Sequence, residues 1–405
     1  MLDVENIRKD FPVLQTGVIY LDSASSSLTP EPVLRKTLEF YHEYRANVGR
    51  GPYEFSRRAT HEYEQAREKI AKFINARSKN EIIFTRNTTE GINIVANGLK
   101  WQHDDKVVTT LIEHHSNFIV WLRVKQRQGV QVKVVEPRAS LECGSLDPSD
   151  FEKIVDDNTK IVAIAHVSNV LGTMEPVEKI AQIAHEHGAY VVVDGAQSVP
   201  HVKVDVQRIG CDFLSFSGHK MCGPTGCGVL YIRQELLDHV EPSYIGGGTI
   251  VDVNVGDYTL DAGPARFEAG TPAIAEAIGL GAAVDYLNSI GMENVEKHEK
   301  DLSSRMNKGL EQIPAVVTYG SGYGRRVALV CFNVDGLRPL DLAHELEKSA
   351  RIMVRAGHHC ALPLTKSIAG RAGTVRASAY LYNTREEIER LIREVERIAR
   401  TQASA

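Results

Sequence analysis

The chain is short of everything that would mark a secreted scaffold, a membrane protein or a nucleic-acid binder. Its 405 residues hold only six cysteines, Cys143, Cys211, Cys222, Cys227, Cys331 and Cys360. They are scattered rather than packed into a small framework, which favours free thiols in a reducing cytoplasm over disulfides. Positive charge is not in excess: 47 Lys and Arg face 52 Asp and Glu, a net charge of −5, with no extended basic block. That sets nucleic acid aside as a partner. No apolar run approaches the length needed to span a bilayer, so no membrane partner is expected. The start, Met1-Leu2-Asp3-Val4-Glu5-Asn6, is acidic and has no apolar signal-peptide core. Internal repeats and low-complexity stretches are missing too. What remains is 43% hydrophobic and long enough to bury a sizeable core, in one large domain and a smaller one.

Strands and helices alternate through the first two thirds, the pattern of a mainly parallel sheet covered by helices. After Val18–Leu21 and the small polar run Asp22–Ser27, helices are expected over Pro32–Tyr44 and Ala59–Ile74. Between them, Asn47–Tyr53 is too rich in glycine for either regular structure. Strands follow at Glu81–Thr85, Lys106–Ile112, Val130–Val135, Lys160–Ala165, Tyr190–Val193, Asp212–Phe216 and Val229–Ile232, with helices over Thr88–Leu99 and Pro176–His187. A long helix from Pro272 to Gly291 ends this region. The texture then changes to an α+β pattern: a charged helix at Glu293–Gln312, strands at Val316–Tyr319, Val327–Asn333, Ile352–Arg355 and Thr374–Ser378, and a helix at Pro339–Ala350. A last helix opens with a capping box of Thr384 and Glu387. We therefore expect an α/β large domain over 16–289 and a smaller α+β domain over 290–405, with residues 1–15 packed on the latter.

In sheets of this kind ligands bind beyond the carboxyl ends of the strands. Thr88, His114, Asn169, Asp194 and Lys220 each follow a strand directly, which places them at one edge. Lys220 ends the run Phe216-Ser217-Gly218-His219-Lys220. A lysine desolvated there becomes a nucleophile able to form a Schiff base. Asp194 closes Tyr190–Val193, where a carboxylate can pair with a protonated ring nitrogen. Such a pair about 4 Å apart is worth roughly 4 kcal/mol at an effective dielectric near 20, or about three pKa units. Asn87-Thr88-Thr89-Glu90 opens a helix whose first N–H groups and hydroxyls favour an anion, and Ser217 and His219 can close that cradle from the other side. His114 is placed to stack on a ring. Taken singly, each has a plainer reading: a surface lysine in a turn, an N-cap aspartate, a helix start with water bound, a core histidine. Together they supply the amine, anion, phosphate cradle and platform that a pyridoxal phosphate site needs.

The motifs extend over nearly the whole chain. They are Asn87–Asn93, Glu113-His114-His115, His166–Thr173, Asp194–Gln197, Phe216–Lys220, Arg266–Pro272, Arg355–Cys360 and Val375–Ser378. In this order they resemble the class V aminotransferase-type, fold-type I pyridoxal phosphate enzymes, and most closely the SUF-type cysteine desulfurases, with selenocysteine lyases as near relatives. The resemblance implies pyridoxal 5′-phosphate as cofactor, with Lys220 as its Schiff-base lysine and His114 stacked on its ring. Asp194 and Gln197 would hold the ring nitrogen and phenolic oxygen. Thr88, Thr89, Ser217 and His219 would hold the phosphate, with Thr271 reaching across a homodimer. Asn169, Arg376 and Arg355 would take the substrate carboxylate, and Cys360 would carry a persulfide. It further implies L-cysteine as substrate, alanine as product, and a sulfur-acceptor or scaffold protein in iron–sulfur cluster assembly.

Two features depart from the family pattern. Gly49-Arg50-Gly51 stands where the family often has His-Arg-Gly, and Pro52-Tyr53-Glu54-Phe55 replaces a further histidine. Cys222 and Cys227 flank the lysine turn, open to metal ligation but more simply read as buried thiols. Selenocysteine lyase activity would use the same site. An aminotransferase or kynureninase-like hydrolase would need Lys220 and Asp194 but not Cys360. A non-catalytic sulfur carrier would need only the cysteines and would leave the cofactor residues unexplained. Arg355 and the two histidines immediately before Cys360 are expected to supply nearby positive charge that favours its thiolate.

Overall fold

The computed structural model describes residues 2–137, 144–320 and 325–403. Cys143 lies outside them. At its centre is a seven-stranded sheet. Across it run Ile82–Thr85, Gly228–Ile232, Phe213–Ser217, Tyr190–Asp194, Thr159–Ala165, Lys106–Thr110 and Gln131–Val135. All neighbours are parallel except Gly228–Ile232, which runs antiparallel to both strands beside it. The inner strands are apolar at successive residues because both faces are covered. Ile161 and Ala163 pack under the helices Thr88–Gly98 and Ile119–Gln128, whereas Val162 and Ile164 join the opposite core with the helices Val177–Glu186 and Ile274–Ile290.

The helices Glu31–Glu43 and Glu54–Phe73 pack against Ile274–Ile290. The second of them begins five residues ahead of the expected Ala59. Its first turn is largely exposed, so the apolar periodicity registers only from Ala59 onward. A buried ion pair, Arg67 Nη1 to Glu268 Oε1 at 2.7 Å, ties this helix to the segment before Ile274. The chain also forms a hairpin that the sequence pattern had not marked, Ile250–Val253 with Tyr258–Leu260.

A second sheet is antiparallel, in the order Val316–Tyr319, Leu329–Val334, Thr374–Ser378, Arg355–Gly357. Its core gathers Leu302, Leu342, Leu391 and Val395 from the helices Met292–Glu311, Pro339–Ala350 and Arg385–Ala403. The capping box forms as expected: Thr384 N–H donates to Glu387 Oε2, and Glu387 N–H to Thr384 Oγ1. The single strand expected over Ile352–Arg355 is two. Ile352–Met353 pairs in parallel with Ile19–Tyr20, and Arg355–Gly357 joins the second sheet. We propose the division near residue 290 from these separate cores, with residues 19–20 attached by pairing to the smaller one. The N-terminal segment touches both: Arg8 pairs with Glu387, while Phe11 packs on Tyr286 and Tyr382. Among the described residues no helix is long and apolar enough to cross a membrane.

Candidate active site

The carboxyl ends of the central strands open into a cleft of about 280 Å³. Thr88, Thr89, His114, Asn169, Asp194, Gln197, Ser217, His219, Lys220, Arg355, Cys360 and Arg376 all line it. Thr271 does not. It borders a separate cavity with Gly247, Gly248 and Arg50.

Lys220 ends a short 3-10 turn, Gly218–Lys220, directly after the strand Phe213–Ser217. Burial lowers its pKa below the ordinary lysine value; Asp194 pulls against this and Arg376 adds to it. Asp194 is buried, and burial raises its carboxyl pKa despite the bond accepted from Ala196 N–H at 2.9 Å. His114 is held in a definite tautomer. Its Nδ1 accepts Ser116 N–H at 3.1 Å, so the neutral ring carries its proton on Nε2. Burial and the nearby Lys220 charge push its pKa down to about 3, keeping the ring neutral. Behind it, Thr110, Asn117 and the Ala165 N–H all donate to the buried Glu113, and burial pushes that carboxyl up to about 8.

The hydroxyl cradle is assembled from two elements. Thr88 N–H donates to Ser217 Oγ at 2.9 Å and the two hydroxyl oxygens lie 2.7 Å apart. Thr89 Oγ1 is 2.7 Å from Ser116 Oγ. Asn87 caps the helix by accepting Glu90 N–H, but Glu90 returns to Arg86 N–H rather than to Asn87. His219 Nδ1 lies 3.3 Å from Ser26 Oγ, and burial with the Lys220 charge lowers its pKa to about 4.

At the other end, Arg376 is buried. It donates to the Asn169 carbonyl at 2.9 Å, to Ser25 Oγ at 2.6 Å and to Asp22 Oδ1 at 3.2 Å. Asn169 Nδ2 donates to the His359 carbonyl at 2.7 Å, which ties this end to the cysteine loop. Cys360 is exposed, and it and His359 both lie in the left-handed region, at φ 55° and 50°. Two successive non-glycine residues there store strain. The turn is held by His115 N–H donating to the Cys360 carbonyl at 2.6 Å.

Of the two histidines before Cys360, His359 does not supply the charge expected of it. His359 turns inward to Thr374, and burial with the Arg376 charge pushes its pKa down to about 3. His358 Nδ1 accepts Cys360 N–H at 3.1 Å. Lys220 and Arg355 interact electrostatically with Cys360. His115, His358 and Cys360 do bring ligand-capable atoms within 4.8 Å of one another. Yet His115 Nε2 accepts Leu362 N–H, so each ring already commits a lone pair to the loop. Cys222 and Cys227 are buried with raised pKa values, as inert thiols.

The residues present fit pyridoxal phosphate. A depressed amine, a buried carboxylate, a neutral ring and converging hydroxyls share one cleft, where the buried Gln197 Oε1 and Arg376 Nε have no partner among the described residues. Sequence reasoning passed over Asp22 and Ser25, which bind Arg376, and Ser116, which orients His114. The only local signal for the first two was a small polar run directly after a strand.

The Aminotransferase class-V family model matches residues 19–391. A probable cysteine desulfurase of Methanothermobacter thermautotrophicus is 46% identical over 401 residues, covering 98% of each chain. The apo structure of a cysteine desulfurase from Thermococcus onnurineus NA1 superposes with a TM-score of 0.94 at 45% identity, covering 99% of each chain. A C-DES mutant solved with glycine covalently linked to the PLP cofactor gives 0.83 at 26% identity, covering 96% of this chain and 98% of that one.

Proposed function

The chain belongs to the class V aminotransferase family, and on that footing we propose that it is a pyridoxal phosphate-dependent cysteine desulfurase, converting L-cysteine to L-alanine and keeping the sulfur on Cys360. The observation that carries this reading is the presence of Cys360 in the same cleft as Lys220 and Arg376. An aminotransferase or hydrolase would need the second and third of these but not the first.

The bound cofactor supplies the electron sink for the pair released at the substrate Cα. Asp194 would hold its ring nitrogen, Gln197 its phenolic oxygen, and His114 its ring face. Thr88, Thr89, Ser217 and His219 would hold the phosphate, with Thr271 contributed across a homodimer. Arg376 fixes the substrate α-carboxylate with Asn169, an arginine fork being suited to it, and Arg355 borders the same end. Lys220, whose amine burial shifts toward the neutral form, takes the Cα proton of cysteine and later returns protons to the carbon skeleton. The Cys360 thiolate attacks the substrate sulfur. An S–S bond forms, the Cβ–S bond breaks with its electron pair left on carbon, and alanine leaves behind a persulfide. A cytoplasmic setting, a sulfur-acceptor or scaffold protein and a place in iron–sulfur cluster assembly complete the proposal; the exposed cysteine loop supports transfer to another protein.

Brief exposure of the holoenzyme to cysteine should add one sulfur to the peptide carrying Cys360, read by mass spectrometry. Cys360→Ser should keep the cofactor and bind cysteine while forming almost no alanine. Sulfur found on Cys222 or Cys227 instead would overturn the mechanism.

A further inference from the structure

Asp22 does not line the cleft, yet it stands behind both arginines that do. Its Oδ1 accepts from Arg376 Nη2 at 3.2 Å. Both its oxygens lie 3.2 Å from Arg355 Nε, and Oδ2 is 3.1 Å from Arg355 Nη2. Ser25 Oγ donates to the same carboxylate at 2.7 Å. One aspartate therefore joins two cations that the fold brings together from different strands.

The two guanidiniums are held differently. Arg376 is also anchored by the Asn169 carbonyl and the Ser25 hydroxyl, and only 3% of its side chain is exposed. Arg355 has 47% of its side chain exposed, and among the described residues its side-chain hydrogen bonds all go to Asp22. It also opens the strand Arg355–Gly357 that leads into the Cys360 loop. Freed from Asp22, it would be a mobile cation beside Arg376 at the mouth of the cleft, on the strand that leads to the Cys360 loop.

We infer that Asp22 is a specificity-determining residue: it ties down and neutralises Arg355, so that Arg376, fixed in place by its further anchors, is left as the guanidinium that meets the one substrate carboxylate. This rests on the proposed desulfurase activity. An amino acid with a second acid on its side chain finds no free cation to receive it, and is disfavoured against cysteine. The asymmetry of the anchoring sets the direction of the effect. Removing the Asp22 charge leaves Arg376 in place through its two other partners, while Arg355 gains both freedom and an uncompensated charge.

The test uses L-aspartate, close in size to cysteine, as a competitive inhibitor of alanine formation by the holoenzyme, with L-2-aminobutyrate as the singly acidic control. In Asp22→Asn the inhibition constant for L-aspartate should fall about tenfold or more relative to the KM for cysteine, while that for L-2-aminobutyrate keeps its ratio to cysteine. Asp22→Glu should restore the wild-type ratio, and Arg355→Gln added to Asp22→Asn should abolish the gain. Asp22→Ser makes the same comparison should the asparagine variant fold poorly. Aspartate and cysteine moving together, or a gain that survives the loss of Arg355, would overturn the inference. Wild-type protein that forms no alanine from cysteine would refute the proposed activity itself, whereas normal wild-type turnover with an unshifted ratio refutes only the role of Asp22.

Discussion

The residues of the cleft are tuned mainly by burial. Lys220, His114 and His219 all lose affinity for protons because the charged form is desolvated, with neighbouring cations adding to the effect at His114 and His219. For Lys220 this has a measurable consequence in the cofactor-free protein. Its folded pKa lies below the unfolded value of 10.5, so over that interval the unfolded chain binds more protons than the native one. Stability contributed by this site therefore rises with pH. Lys220→Met, which never charges, should be more stable than wild type near neutral pH, and the gap should close as pH climbs toward about 10. Urea unfolding of both proteins between about pH 7 and 9.5 measures it. A gap that stays constant would mean that the amine is not desolvated.

At the scale of elements, the cradle depends on a helix start pressed against a strand end. Gly228 pairs with both Thr85 and Ser217, at the point where the helix Thr88–Gly98 begins. A Cβ there would stand 2.7 Å from Asn87 Cα and 2.8 Å from the Phe216 carbonyl oxygen, both backbone atoms. Gly228→Ala must therefore push the helix start away from Ser217 and break the Thr88–Ser217 contact. We expect overpacking to destabilise the protein by about 1–3 kcal/mol and pyridoxal phosphate to bind about tenfold more weakly. Equilibrium dialysis of the cofactor, beside thermal unfolding, separates the two effects. Undiminished cofactor affinity would remove the helix start from the phosphate site. The cysteine loop is held by a similar union of distant elements, since His115 N–H and Asn169 Nδ2 bind successive carbonyls at Cys360 and His359.

At the scale of the whole molecule, the hairpin Ile250–Leu260 leaves Val251, Val253, Val255 and Tyr258 exposed. Contiguous apolar exposure of this kind marks an interaction surface. With Thr271 outside its own chain's cleft, it supports the proposed homodimer. Val251→Glu combined with Val253→Glu should shift the protein toward monomer in analytical ultracentrifugation and loosen the cofactor. A stable dimer with unaltered cofactor retention would place the subunit contact elsewhere.

Much of the site was legible without coordinates because its logic is local. A buried strand must be apolar and must end where polar residues begin, and right-handed crossovers bring those ends to one edge. Asp194, His114 and Lys220 therefore meet for reasons present within each short segment. The Thr384–Glu387 cap was readable on the same grounds. Other features depend on pairings between segments far apart in the chain. Asp22 reaches Arg376 across 354 positions, and nothing in its own neighbourhood announces that contact. The direction of His359, turned inward to Thr374, follows from left-handed backbone in its loop rather than from its neighbours in sequence. Composition and spacing thus determined the sheet, its ligand edge and most of the residues gathered there. Tertiary packing decided which charges are paired and which are free, because burial and ion pairing depend on the separation of atoms in space, not along the chain.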